Sequence, residues 1–208
     1  MDLVQLIRGA MFGGQQTVHP GTSTYSGSLR TALGDPEYFD MSMGTRLFWG
    51  ANQTATAWSV ALNTTYTGLV LSNPRASQSL LVPVAAGFAY SVAPAAIAPM
   101  MFFAGNSSDG ITTHTTPLPM GELPTRLDSD QGTGVGNLDA AATLVGTPRW
   151  VMPFISGFTA AALPSVAPGL VDLKGLFVVP PGAYFGIGAL TAVTGFGSLV
   201  WAEIPITT

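Results

Sequence analysis

Hydrophobic and polar positions alternate in short runs over most of the chain, and turn-forming residues break the runs before a helical period can establish itself. "TRLFWGA" (45–51), "TAWSVAL" (56–62), "TYTGLVLS" (65–72) and "SLLVPVAAGFAYSV" (79–92) are β-prone stretches separated by "NQ", "NT" and "NPRASQ". Within "TYTGLVLS", Thr67, Leu69 and Leu71 fall on one side and Tyr66, Gly68, Val70 and Ser72 on the other, which predicts a strand with one clearly apolar face. "FAGNSSDGITTHT" (103–115) places an Asp109–Gly110 turn between two strand candidates and predicts a hairpin. Strands resume at "RWVMPFI" (149–155), "GLFVVP" (175–180), "AYFGIGAL" (183–190) and "SLVWAEIPI" (198–206). Pro180 and Pro181 cannot donate ladder hydrogen bonds and Gly182 permits a sharp turn, so "VVPPGAYF" reads as a corner. Many short strands, with 25 glycines and 16 prolines, predict an all-β sandwich or barrel.

Two segments depart from this pattern. In residues 1–44, Leu3, Leu6, Ile7 and Ala10 recur at helical spacing ahead of a loop-rich run. A helix this short needs a partner surface. Either an N-terminal arm lies on a neighbouring subunit or a short helix packs on its own domain, residues 45–208. The stretch 116–148 holds four of that domain's seven acidic residues and a Gly-rich centre, and it reads as a long surface excursion.

Charge then narrows the classes. Charged residues make up 9% of the chain, against roughly 25% in an ordinary soluble domain. A folded monomer of 21.4 kDa would expose roughly 9,000 Å². Eighteen charged side chains on that surface leave on the order of 500 Å² per charge, comparable to the largest apolar patches monomers tolerate. With mean hydropathy at +0.40, the chain is expected to hide surface against copies of itself or other subunits. Net charge is −4 with no basic cluster, which argues against nucleic-acid binding. No cysteine is present, so disulfides, thiolate metal sites and Cys nucleophiles are excluded. "MDLVQLIRGAMFGG" lacks a basic region before its apolar stretch and is not expected to be a signal peptide; the sequons at Asn52, Asn63 and Asn106 then read as accidents of a Ser- and Thr-rich chain. Residues 76–108 carry no charge and are long enough for a membrane helix, but Pro83, Pro94 and Pro99 interrupt them and buried strands fit better.

Candidate chemistry is sparse. Only His19 and His114 could serve as a base, neither beside a G-x-S-x-G elbow, and two distant histidines do not make a zinc site. In "DSDQGTGVGNLD" (128–139), Asp128, Asp130 and Asp139 stand at positions 1, 3 and 12 of a calcium loop. Thr133 replaces the required glycine and Asp139 the longer glutamate, so an acidic loop is the plainer reading and a weak cation site the alternative. "GTGVG" (132–136) does not match a dinucleotide fingerprint. Asp35, Glu37 and Asp40 in "GDPEYFD" could pair as glycosidase carboxylates but read as a solvated turn. Trp49, Trp58, Trp150 and Trp201 could stack on sugars, yet all lie in strand-like runs where core or subunit interface is the expectation. No catalytic, cofactor-binding or metal residue is therefore assigned.

A "TGL-x-L-x-NP" strand and turn (Thr67, Gly68, Leu69, Leu71, Asn73, Pro74) comes early. A "PPG" corner (Pro180, Pro181, Gly182) and a "W-x-E-x-P" strand (Trp201, Glu203, Pro205) come late. Together they resemble structural proteins of tailed-bacteriophage virions, the jelly-roll proteins that decorate or cement the head surface. The resemblance covers roughly 45–115 and 174–206. It implies a jelly-roll-like antiparallel β-sandwich with an N-terminal arm, and a non-enzymatic virion component assembled in the host cytoplasm. It also implies a homo-oligomer, with a trimer favoured, attached to the major capsid protein or other virion proteins, with no nucleic-acid or membrane partner. The alternative is a receptor- or glycan-binding β-sandwich of a phage fibre or spike, which would group exposed aromatics in 116–148; that stretch holds no Trp, Tyr or Phe.

Overall fold

The computed structural model describes residues 46–106, 113–123, 134–157 and 170–206, and these form two antiparallel sheets packed face to face. The strands are β1 (Leu47–Ala51), β2 (Thr56–Ala57), β3 (Thr65–Ser72), β4 (Ser79–Tyr90), β5 (Ala98–Asn106), β6 (Thr113–Pro117), β7 (Met120–Leu123), β8 (Asn137–Thr143), β9 (Arg149–Gly157), β10 (Leu170–Asp172), β11 (Ala183–Ala189) and β12 (Thr194–Pro205). The first sheet runs β10-β4-β12-β1-β7, with β2 continuing the row of β1 along β12; the second runs β6-β8-β3-β11-β5-β9. The expected arm, residues 1–44, lies outside the described residues.

Setting aside β2 and β6–β8 leaves eight strands. In chain order, the first, eighth, third and sixth make one sheet and the second, seventh, fourth and fifth the other. That order is the jelly roll, two Greek keys folded into a double sheet. The strands β6–β8 are an insertion between the fourth and fifth, and they widen both sheets: β8 joins beside β3, β6 beside β8, and β7 beside β1. The stretch 116–148 is thus not simply a surface excursion. Its β8 is an interior strand with Leu138, Asp139 and Ala142 buried. The expected hairpin at Asp109–Gly110 also fails. Those two residues lie outside the described set, but β5 and β6 stand far apart in the second sheet. "GLFVVP" forms a turn and a single bridge, Leu81 with Val179, rather than a strand.

The inner faces supply the main core. Leu69, Leu71, Phe102, Phe185 and Ile187 from the second sheet meet Phe48, Leu81, Phe88, Leu199 and Trp201 from the first. Pro83 sits inside β4 opposite Trp201, where the register against β12 slips by one residue; a bulge is where a central strand tolerates a missing N–H.

The second sheet is apolar on its outer face too, a departure from the one-sided strand expected at 65–72. Tyr66, Val70, Phe103 and Tyr184 are buried there with Ala142 and Leu144. Aromatic rings lie over glycines. A methyl group on Gly68 would stand 2.7 Å from the Tyr66 ring, and one on Gly188 would meet both the Tyr66 hydroxyl and Trp150. Gly68 also has φ +149°, at the point where β3 slips against β8, so an L side chain is excluded twice over. Residues 144–148 cross this face. They carry the chain from β8 past β3, β11 and β5 to β9. Leu144 N–H donates to the Thr64 carbonyl at 2.8 Å and the Tyr184 hydroxyl to the Val145 carbonyl at 2.7 Å, which pins it down.

Burial pushes the Tyr184 phenol up to about 12 and holds Tyr66 and Tyr90 above the usual value of 10.0. Each donates to a carbonyl: Tyr66 to Ile187, Tyr90 to Ala98, Tyr184 to Val145. A folded-state pKa raised above the unfolded one gives stability that is complete below about pH 10 and is lost as pH climbs towards 12. In an alkaline titration, these three tyrosines should ionise together with the loss of the sheet circular-dichroism signal. Full tyrosinate absorbance near pH 10 with the sheets intact would contradict it.

Candidate functional site

Several of the residues that carry the resemblance, Asn73, Pro180 to Gly182, Glu203 and Pro205, converge at one end of the sandwich. Asn73 follows β3, and its buried side-chain amide donates to the Ser79 carbonyl at the start of β4 and to the Val179 carbonyl in the corner, both at 2.8 Å. Its backbone N–H donates to the Ala183 carbonyl and its carbonyl accepts from Gly182 N–H, each at 2.9 Å. Gly182, with φ +85°, makes the turn that brings the corner back to Asn73. One residue thereby ties the β3–β4 turn, the "VVPPG" corner and both sheets together.

Glu203 plays the matching part on β12. Its carboxylate is buried and accepts from Val135 N–H at 2.9 Å, Gly136 N–H at 2.8 Å and the Trp201 indole at 3.2 Å. A buried carboxylate needs such donors. Gly134 and Gly136 allow the approach, because a methyl group at either would crowd the Glu203 carboxylate. "GVG" is therefore a backbone cradle for a carboxylate of the same chain.

Asn52 does similar work near the start of β12. Its amide donates to the carbonyls of Thr54 (2.6 Å) and Gly195 (3.2 Å), and its carbonyl oxygen accepts from Gly197 N–H. The asparagine of that sequon is buried and engaged.

The sequence candidates for chemistry are not brought together. His19, Asp35, Glu37, Asp40, Asp128 and Asp130 lie outside the described residues. His114 is on β6, with its backbone paired to Ala142. Asp139, the last position of the acidic loop, is 0% exposed within β8. Among the described residues no three His, Asp or Glu side chains are grouped as metal ligands. Trp58 and Trp201 are buried in the core, and Trp49 and Trp150 are partly buried. None of the four is an exposed stacking platform. Among the described residues no helix is long and apolar enough to cross a membrane. Sequence reasoning flagged Asn73 as part of a turn cluster and through the resemblance, and Glu203 only through the resemblance; nothing in the sequence signalled that Ser79, Val179, Val135 and Gly136 would be their partners. No protein-family model, curated protein or solved structure matches the chain.

Two substitutions test these joints. Asn73→Ala leaves two carbonyls without their donor and should cost about 2–3 kcal/mol in denaturant unfolding. Asn73→Asp should cost more at neutral pH, since a carboxylate then faces both carbonyls, and part of the loss should return in acid. Glu203→Gln puts an amide N–H against a backbone N–H and should cost about 1.5–3 kcal/mol, with faster amide exchange at Val135 and Gly136. Unchanged exchange there would separate Glu203 from the loop.

Proposed function

We propose that the chain is a non-enzymatic structural protein of a bacteriophage virion, a jelly-roll subunit that decorates or cements the capsid surface through repeated subunit contacts. The observation that carries this reading is the jelly-roll strand order, two Greek keys in a double sheet, in a chain of which only 9% of residues are charged. A surface with so few charges is suited to repeated subunit contacts. The way the motif residues act as joints between strands supports the same reading.

Light scattering of the purified chain tests the proposal. The expected native mass is a multiple of 21.4 kDa, three-fold for the favoured trimer. The same material should co-sediment with capsid shells that lack it. A monomer that stays off the shells would overturn the reading.

A further inference from the structure

We propose that copies of this chain meet through the charge-free end of the sandwich, the end opposite the Asn73 joint; this rests on the reading of the chain as a homo-oligomer. The end is built by residues 58–64, 91–97 and 190–193, together with the adjoining part of β12. Val92 is 63% exposed and Ile97 65%, with Val60, Leu190 and Phe196 also exposed and alanines between them. Isolated exposed apolar residues are ordinary; a group of them on converging loops marks a binding surface.

The loops are held before any partner arrives. Leu190 N–H donates to the Pro99 carbonyl at 3.2 Å and the Thr191 hydroxyl to the Ile97 carbonyl at 2.8 Å. Ser91 N–H donates to the Thr194 carbonyl and Trp58 N–H to the Val193 carbonyl, both at 2.9 Å. Little ordering is left to do on association, which lowers the entropic cost of burying these side chains.

Charge selects the occupant. The sequence has no charged residue in 47–74, 76–108 or 175–202, the stretches that make this end. The charged residues among those described are Arg46, Arg75, Glu122, Asp139, Arg149, Asp172, Lys174 and Glu203, and all belong to the middle of the sandwich or its other end. Glu203 is nine residues along β12 from Thr194, roughly 30 Å, and Asp172 pairs with Ala85, five residues or roughly 16 Å from Tyr90. Both distances exceed the screening length of about 8 Å in physiological salt. The eight described charges, four basic and four acidic, sum to zero and lie away from this end, so two copies can meet there without facing like charges. Meeting at this end buries apolar surface and keeps the described charges apart. A strongly charged partner has nothing to pair with there.

The test compares Val92→Glu/Ile97→Glu with Leu176→Glu, a control at a position 65% exposed beside Lys174. By light scattering, the double variant should fall from the native multiple to 21.4 kDa, while the control keeps the wild-type mass. Loss of assembly in the control with the double variant intact would overturn this surface and leave the oligomer reading standing. A monomeric wild type would overturn both. Binding of wild type but not double variant to phosphatidylcholine vesicles, with equal native masses, would make this end a lipid surface and overturn the proposal. Because the chain has no cysteine, Ile97→Cys gives a readout that does not depend on the glutamate variant folding. Mild oxidation should yield covalent dimers from Ile97→Cys and none from Val178→Cys; the reverse pattern rejects the surface.

Discussion

The side chain of Asn73 faces two buried carbonyls that belong to different parts of the chain, and only an amide nitrogen can satisfy both at once. Ser79 begins a strand of the first sheet, Val179 sits in the corner before β11, and the Asn73 backbone pairs with Ala183 and Gly182 in the second sheet. Registry between the layers at this end follows from that arrangement. A serine or threonine could reach one carbonyl, and a carboxylate would repel both. The main core supplies most of the stabilisation, but apolar packing is tolerant of small slips. Directional bonds such as these, and those of Asn52 and Glu203, make one register better than its neighbours.

The second sheet shows how a strand can be buried on both faces without a further layer of secondary structure. Tyr66, Phe103, Tyr184 and Trp150 lie across Gly68, Gly186, Gly105 and Gly188, so rings and strands share the space that side chains on those strands would otherwise fill. The strap at 144–148 then needs only a few residues to finish the cover. The arrangement explains why glycine is frequent inside strands here, a position where it normally weakens them. The missing side chains are replaced by rings from the same sheet, Tyr66 from within β3 itself and the others from other strands.

Much of the architecture was legible because strand periodicity is local. The run 65–72 is β3 residue for residue, and the predicted stretches at 79–92, 149–155 and 183–190 each overlap a strand closely. What escaped was decided by pairing. "NLDAAAT" has weak strand character and becomes interior only because β3 and β6 flank it, and the three residues of β10 exist as a strand only against β4. The outer apolar face at Tyr66 was hidden because a strap with no periodicity covers it. The joints were half visible: the turn chemistry of "NP" and "PPG" is local, whereas their contact through Asn73 spans more than a hundred residues. Residues 76–108 were seen to be charge-free and read as buried strands. The loop between those strands, Ser91–Ile97, is instead largely exposed.

The strand order has a consequence for synthesis. β11 is central in one sheet and β12 in the other, and both come late in the chain. Before residue 183 has left the ribosome, β3 and β5 have no common neighbour, and β1 and β4 none before β12 follows. Neither sheet can close as translation proceeds. Until β11 and β12 have emerged, the chain carries unpaired, apolar strand edges, the state in which β-rich chains are most prone to associate wrongly. Folding waits for these two strands, and their emergence, more than the meeting of any early hairpin, sets the moment at which this fold becomes possible.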